Sequence, residues 1–351
     1  MFNPRRLSIA RKRRRLTARA LARKAGLVPD TISRLEKGVR LPDEQTVAKL
    51  ANALDFPVSF FGQDEPEEVG ASDASFRSFS KMSVRDRDAA LTASALGLEL
   101  SDWIERRFPL PPPDLLDLGH ATDPDVAASS LRQYWALEER PIGNLLSLLE
   151  TKGVRVFSLS ENTASVNSFS FWRDNKPFIF LNNFETAERR RYQLAHELGH
   201  FMLHRHADPK GIRSAERDAN RFASAFLMPE RDIRAVFHRS VTVDSIIKEK
   251  LRWGVSAIAL ANRLYDLGLL STWQYKSTCI KLRNQGYRTS EPVGIPRETS
   301  SVWRKILAQP WTERAMKGNL AKDLHLPLDE LEGLIWDLAE EAECPESRDP
   351  A

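Results

Sequence analysis

His196 and His200 stand four residues apart with Glu197 beside the first, in the stretch Arg191-Tyr192-Gln193-Leu194-Ala195-His196-Glu197-Leu198-Gly199-His200-Phe201-Met202-Leu203-His204. Residues at that spacing share one face of a helix, so both imidazoles can turn toward a single ion. A zinc ion that keeps one position open lowers the pKa of its water from near 16 toward ~7, and a neighbouring carboxylate can take the proton as water attacks a carbonyl. Glu197 is placed for that task, which is metal-assisted peptide hydrolysis. Because a five-residue H-E-x-x-H also arises by accident, the reading requires a second segment.

That segment lies downstream. Ser214 to Pro229 carries Ala219, Phe222, Ala223 and Phe226 at helical spacing and stops at the proline. A carboxylate near its start can complete a His, His, Glu set, and both Glu216 and Asp218 qualify by chemistry. Together, H-E-L-G-H and E-R-D-A-N-R-F-A-S-A-F-L-M-P resemble the ImmA/IrrE family of bacterial metallopeptidases. The resemblance implies a zincin-like fold, a Zn2+ cofactor held by His196, His200 and Glu216, and Asn220 as the outer partner that orients Glu216. Asp218 is the alternate ligand and stands where the family often has Glu. His204, one turn beyond His200, is expected to support the site from outside or to cap the helix. The oxyanion donor stays open between Tyr192 and His204. His206 is expected in solvent, and His120, His238 and His325 lack ligand spacing.

Elements must hold these groups in place. Leu194, Leu198, Phe201 and Met202 form a buried stripe on the metal helix, and Gly199 implies that something packs closely there. Upstream, helices are expected over 126–135 and 141–152, a strand over 154–159, and two further strands over 166–172 and 177–181 around the turn 173–176. Phe178 to Leu181 is the candidate strand for holding an extended substrate by main-chain pairing, its aromatics otherwise being core. Downstream, helices are expected over 243–253, 256–267, 272–284, 301–308, 317–324 and 328–338. The acidic A-K-D-L-H-L-P-L-D-E-L near the end reads as a docking element.

Charge separates the N-terminus from the rest. Residues 1–62 hold 14 Lys or Arg against 5 Asp or Glu, a balance of +9, so the total of +4 leaves −5 for the remainder. Within that basic segment Thr17 can cap a short helix, Gly26 permits a tight turn, and Pro29 opens a second helix with Ile32 and Leu35 inward. A first helix holds Leu7, Ile9 and Ala10, a fourth runs over 43–54, and Phe60 and Phe61 are expected to pack on it. The pattern, down to I-S-R-L-E-K-G followed by Leu41-Pro42, is similar to the Xre/Cro/phage-repressor type of helix-turn-helix, with Val28 where Ser or Thr often caps the recognition helix. That resemblance implies double-stranded operator DNA as a partner. Asp30, Thr31, Ser33 and Arg34 are then the base-reading candidates. Thr17, Arg19, Lys37, Arg40 and the early arginines are the phosphate candidates, while Glu36 serves an internal pairing.

The chain is expected to be mainly α with a small β-sheet (α+β). Its domains are a helix-turn-helix domain over 1–62, a linker and connecting helices over 63–123, a zinc peptidase domain over 124–275, and a helical C-terminal region over 276–351. Cys279 and Cys344 lack paired spacing, no apolar run reaches membrane-span length, and no signal peptide is visible, so a cytoplasmic protein is expected. The functional expectation is a homodimeric regulator whose zinc endopeptidase cleaves a repressor, either an Xre-type partner or itself. The alternative is a repressor or antitoxin-like module that keeps the zinc fold without turnover.

Overall fold

Side-chain caps set most of the helix starts in the computed structural model, which describes residues 2–70, 83–118, 122–159, 168–182, 185–205, 212–238, 240–287, 290–308 and 313–339. Asn3 caps α1 (Pro4–Arg13), Thr17 caps α2 (Ala18–Ala25), and α3 (Pro29–Glu36) opens on Pro29 without a side-chain cap, because Val28 holds that position. Asp43 caps α4 (Glu44–Leu54), and a short 3-10 turn over Val58–Gly62 follows. Ser83 caps the long α5 (Val84–Glu105), Asp123 caps α6 (Pro124–Tyr134), and Asn144 caps α7 (Leu145–Thr151). The helix expected over 141–152 is therefore shorter, since Pro141 to Asn144 supply its entry and cap rather than its first turn.

Strands β1 (Arg155–Leu159), β2 (Phe169–Arg173) and β3 (Lys176–Asn182) form a sheet in the order β1-β3-β2. Asp174 and Asn175 both adopt positive φ, 48° and 59°, giving the two-residue hairpin turn whose twist suits paired strands. The remaining helices are α8 (Ala187–Leu203), α9 (Ile212–Leu227), α10 (Glu230–Val236), α11 (Val243–Trp253), α12 (Ala257–Asp266), α13 (Thr272–Asn284), α14 (Ser301–Leu307), α15 (Glu313–Asp323) and α16 (Leu328–Ala339). The protein is mainly α with one small sheet. No helix among the described residues is long and apolar enough to cross a membrane. His120, His206, Cys344, residues 71–75 of the expected linker, and 166 and 167 of the expected strand lie outside the described residues.

One expectation is corrected by the sheet. Phe178 to Leu181 lie on β3, the middle strand, so both of its main-chain edges are already paired and neither can take a substrate. Phe178, Ile179, Phe180 and Leu181 are fully buried, and a continuous apolar run of this kind marks a strand covered on both faces.

The chain divides into two compact units, Met1–Pro111 with Phe157–Phe169 and Val302–Leu338, and Pro112–Val156 with Ser170–Ser301 and Ala339–Ala351. In the first unit Leu7, Leu21, Ile32, Leu50, Leu54 and Phe60 form the core of the N-terminal helices. Gly26 closes α2 at φ 65°, a left-handed cap that frees the chain to turn into α3. Arg11 grips Glu36 through two bonds of 2.6 and 3.0 Å, the internal pairing expected of Glu36.

In the second unit buried charges fix α8 to its neighbours. The Lys250 ammonium, fully buried on α11, lies 3.3 Å from Glu188 on α8 and 3.1 Å from Glu291, and donates to the carbonyl of Val293. Arg191 on α8 bonds the carbonyls of Trp253 (3.1 Å) and Gly143 (2.7 Å) and pairs with Glu298. Removing one member of such a group strands the others without solvent or partner. Lys250→Met is accordingly expected to lower unfolding stability by about 3–5 kcal/mol, read as a fall in the urea midpoint with an unchanged denaturant slope. An unchanged midpoint would contradict this role.

Candidate metal centre and helix-turn-helix surface

The centre is built where α8 and α9 meet. Gly199 makes the approach possible, since a Cβ there would sit 3.0 Å from Phe222 Cδ1 and 3.1 Å from the Ala219 Cα. The close packing implied by that glycine in the sequence is thus explained, with small Ala219 as the opposing residue. The hydroxyl of Tyr192 on α8 also crosses to the Asn220 carbonyl on α9, 2.9 Å away. The end of α9 is held by two buried arginines, Arg132 reaching the carbonyl of Phe226 (2.6 Å) and Arg263 that of Met228 (3.1 Å). These bonds satisfy carbonyls that Pro229 and the helix end would leave without partners.

At this junction the side chains of His196, His200 and Glu216 converge, each offering a ligand atom within 4.8 Å of the others. The two Nε2 atoms are 3.1 Å apart, His200 Nε2 is 3.4 Å from Glu216 Oε1, and His196 Nε2 is 3.6 Å from Glu216 Oε2. Ligands bound tetrahedrally at 2.0–2.1 Å from one zinc ion lie about 3.3 Å from one another, so the donor set fits such an ion. Asp218, the alternate in the sequence, is not part of the convergent group, being two residues and more than half a helical turn away from Glu216.

The electrostatics suit metal binding. Burial pushes the His196 imidazole down to about 3, the nearby His200 adds to the fall, and Glu216 with a side-chain hydrogen bond from the imidazole to Asn220 opposes it. His196 therefore stays neutral, the form that ligates. Asn220 was expected to orient Glu216; its Nδ2 donates to the Glu216 main-chain carbonyl at 2.7 Å, and its side chain also bonds His196. His204 lies at the end of α8 with its Nδ1 3.2 Å from that of His200, the position of an outer partner.

Glu197 is 2% exposed, and the hydroxyl of Ser170 on β2 donates to its Oε2 at 2.5 Å. Ser170 was not singled out in the sequence, because nothing in a serine within an aromatic strand announces a partner 27 residues later. Burial raises the Tyr192 phenol to about 12, so it remains a donor, and its hydroxyl is engaged with α9.

In the first unit, Thr17, Arg19, Asp30, Arg34, Lys37 and Arg40 are exposed, and Thr31 and Ser33 are half-buried on α3. Thr17 Oγ1 accepts from the Ala20 amide at 3.1 Å, and Arg34 pairs with Asp30 one turn earlier at 2.7 Å. The early arginines differ from expectation. Arg6 pairs with Glu99 on α5 (2.6 Å), Arg11 with Glu36, Arg13 with Glu330 (2.8 Å), and Arg14 with Asp329 (2.7 Å). Acidic residues distant in sequence neutralise this run, which the local charge pattern could not foretell.

Residues 149–265 match the family described as the IrrE N-terminal-like domain, and residues 7–61 match the family described as helix-turn-helix. The chain matches no curated protein.

Gly199→Ala tests the dependence of the centre on close helix packing. The added methyl must displace Phe222 or main chain of α9, so a loss of about 1–3 kcal/mol in stability is expected, together with faster loss of zinc to a chelator. Wild-type melting temperature and zinc retention in the variant would contradict it.

Proposed function

From a chain that joins an Xre-type helix-turn-helix over residues 7–61 to an IrrE-like domain over 149–265, we propose a DNA-binding transcription regulator that carries a zinc-dependent endopeptidase. The mutual spacing of His196, His200 and Glu216, 3.1 to 3.6 Å between ligand atoms, is the observation that carries the enzymatic half. A zinc ion bound there would supply Lewis acidity to the scissile carbonyl and to the attacking water. Glu197 accepts the proton of that water and delivers it to the departing amine. Ser170 holds the carboxylate of Glu197 in one orientation. Asn220 and His204 restrict the rings of His196 and His200.

The substrate proposed is an Xre-type repressor, either a partner or the chain itself, so that cleavage relieves repression in the cytoplasm where its DNA resides. The exposed cations Arg19, Arg34, Lys37 and Arg40 support the DNA-binding half. Arg34, Thr31, Ser33 and Asp30 read bases from α3, and Thr17, Arg19, Lys37 and Arg40 position the backbone. Because one helix-turn-helix reads a half-site, the operator-bound form is proposed to be a homodimer. The domains proposed remain those of the sequence, 1–62, 63–123, 124–275 and 276–351.

Each half of the proposal has its own expected outcomes. Zinc-loaded protein should cut a repressor encoded nearby, or itself, and Glu197→Gln should retain zinc while losing cleavage, with fragments followed by intact mass. Absence of cleavage in both proteins alongside intact DNA binding would instead favour a non-proteolytic repressor that uses the zinc fold for sensing or dimerisation. On a duplex obtained by binding selection, Arg34→Ala should cost about 1–3 kcal/mol and relax one base position. Lys37→Ala should weaken all sequences alike and reduce the salt slope by about one. Equal effects on every sequence from Arg34→Ala would contradict its assignment.

A further inference from the structure

The first unit is assembled from three separated segments, Met1–Pro111, Phe157–Phe169 and Val302–Leu338, with segments of the second unit between them in sequence. Among its closing contacts are ion pairs, one of them buried, beside the buried apolar residues Leu331, Leu334 and Ile335 of α16. Arg13 on α1 pairs with Glu330 on α16 at 2.8 Å, the two side chains being 6% and 4% exposed, and also donates to the Ala89 carbonyl on α5 at 2.7 Å. Arg14 reaches Glu330 (2.8 Å) and Asp329 (2.7 Å) with one nitrogen. Its other nitrogens bond the last carbonyls of the α4 region, Leu54 (2.7 Å) and Asp55 (3.0 Å), while the guanidinium lies over Phe56. Asp323, at the end of α15, accepts from Trp103 and Arg107 of the α5 region, each at 3.1 Å. His325, in the turn between α15 and α16, lies 3.0 Å from the Ser59 hydroxyl.

We propose that α15 and α16 act as a clasp on the helix-turn-helix, so that tight DNA binding requires the chain to be intact downstream of the peptidase-like sequence. Arg14 is the central tie, since one guanidinium joins the end of α4, the ring of Phe56 and the start of α16. Asp329 and Glu330 stand in the first turn of α16, where the positive end of the helix dipole favours carboxylates, and there they pair with Arg13 and Arg14, whose side chains are 6% and 21% exposed. None of the exposed residues assigned to DNA takes part in these contacts, so the clasp leaves Arg19, Arg34, Lys37 and Arg40 open while it is closed. The buried pair of Arg13 and Glu330 ties α16 to α1 specifically, because removing either side chain would leave the other a desolvated charge in the closed clasp.

Chain continuity sets the strength of the clasp. A tethered segment meets its site at an effective concentration of order mM, whereas a severed one competes at its bulk concentration. A single peptide-bond cleavage between the clasp and the rest of the chain, with water adding across the bond to give a carboxylate and an amine, therefore converts a closed DNA-binding unit into a dissociable one. The clasp itself stands on the contacts above; its use as a switch rests on the proposed endopeptidase.

The test separates those two. Full-length protein carrying Glu197→Gln, and a recognition sequence for an unrelated site-specific protease inserted after Gln309, is cut and examined at sub-micromolar concentration. The C-terminal fragment should separate on gel filtration, amide protection in α1 and α4 should fall at least about tenfold, and affinity for a mixed-sequence DNA duplex should fall by a similar factor. Separation with protection and affinity unchanged would overturn the clasp. So would a fragment that stays bound, or an affinity that rises with a steeper salt dependence, which would make α16 a competitor of DNA. In the uncut chain, Glu330→Arg should reproduce the loss, and Arg13→Glu added to it should restore at least half of the lost protection on a logarithmic scale; no restoration would remove that ion pair from the account.

Discussion

The candidate metal centre depends on one steric allowance, the missing side chain at Gly199. Glu216 sits on a different helix from His196 and His200, so the three can converge only if α8 and α9 approach closely at this level. Gly199 against Ala219 and Phe222 provides that approach, with 3.0 to 3.2 Å from a hypothetical Cβ to its neighbours. A glycine inside a helix costs about 1 kcal/mol relative to alanine, and here the cost is offset by packing that any larger residue would prevent. The hydroxyl of Tyr192, bonded to the Asn220 carbonyl, and the Asn220 side chain, bonded to His196, then lock the register between the two helices.

Around that contact the second unit surrounds α8 with buried ions. Arg191 and Glu188 lie on the metal helix itself, and their partners Glu298 and Lys250 come from segments far along the chain. Such groups are costly to bury and costly to break, which favours a single arrangement over many similar ones. They keep α8 from sliding, and a shift of even part of a turn would carry His196 and His200 away from Glu216.

Legibility in the sequence followed the range of the interaction. Contacts within one helix were readable, as in the i,i+4 histidines, the cap at Thr17 and the turn at Gly26. The long-range partners were not. The run Arg11 to Arg15 looked like a DNA face because neighbouring residues gave no sign of Glu330 or Asp329, which reach it from more than 300 residues away in the chain. Likewise the apolar run 177–181 beside a turn suggested a strand, yet only pairing partners could reveal that it is the central one. Ser170 was invisible for the same reason, its partner being on another element.

Both halves of the protein thus rely on residues brought together from distant sequence, and the central claim is that one such set holds a zinc ion. X-ray absorption at the zinc edge on the full-length protein tests this most directly. The account predicts two imidazole nitrogens and carboxylate oxygen at about 2.0–2.1 Å, with the imidazole contribution reduced in His196→Ala. A sulfur shell near 2.3 Å, or a spectrum unchanged by that substitution, would contradict it.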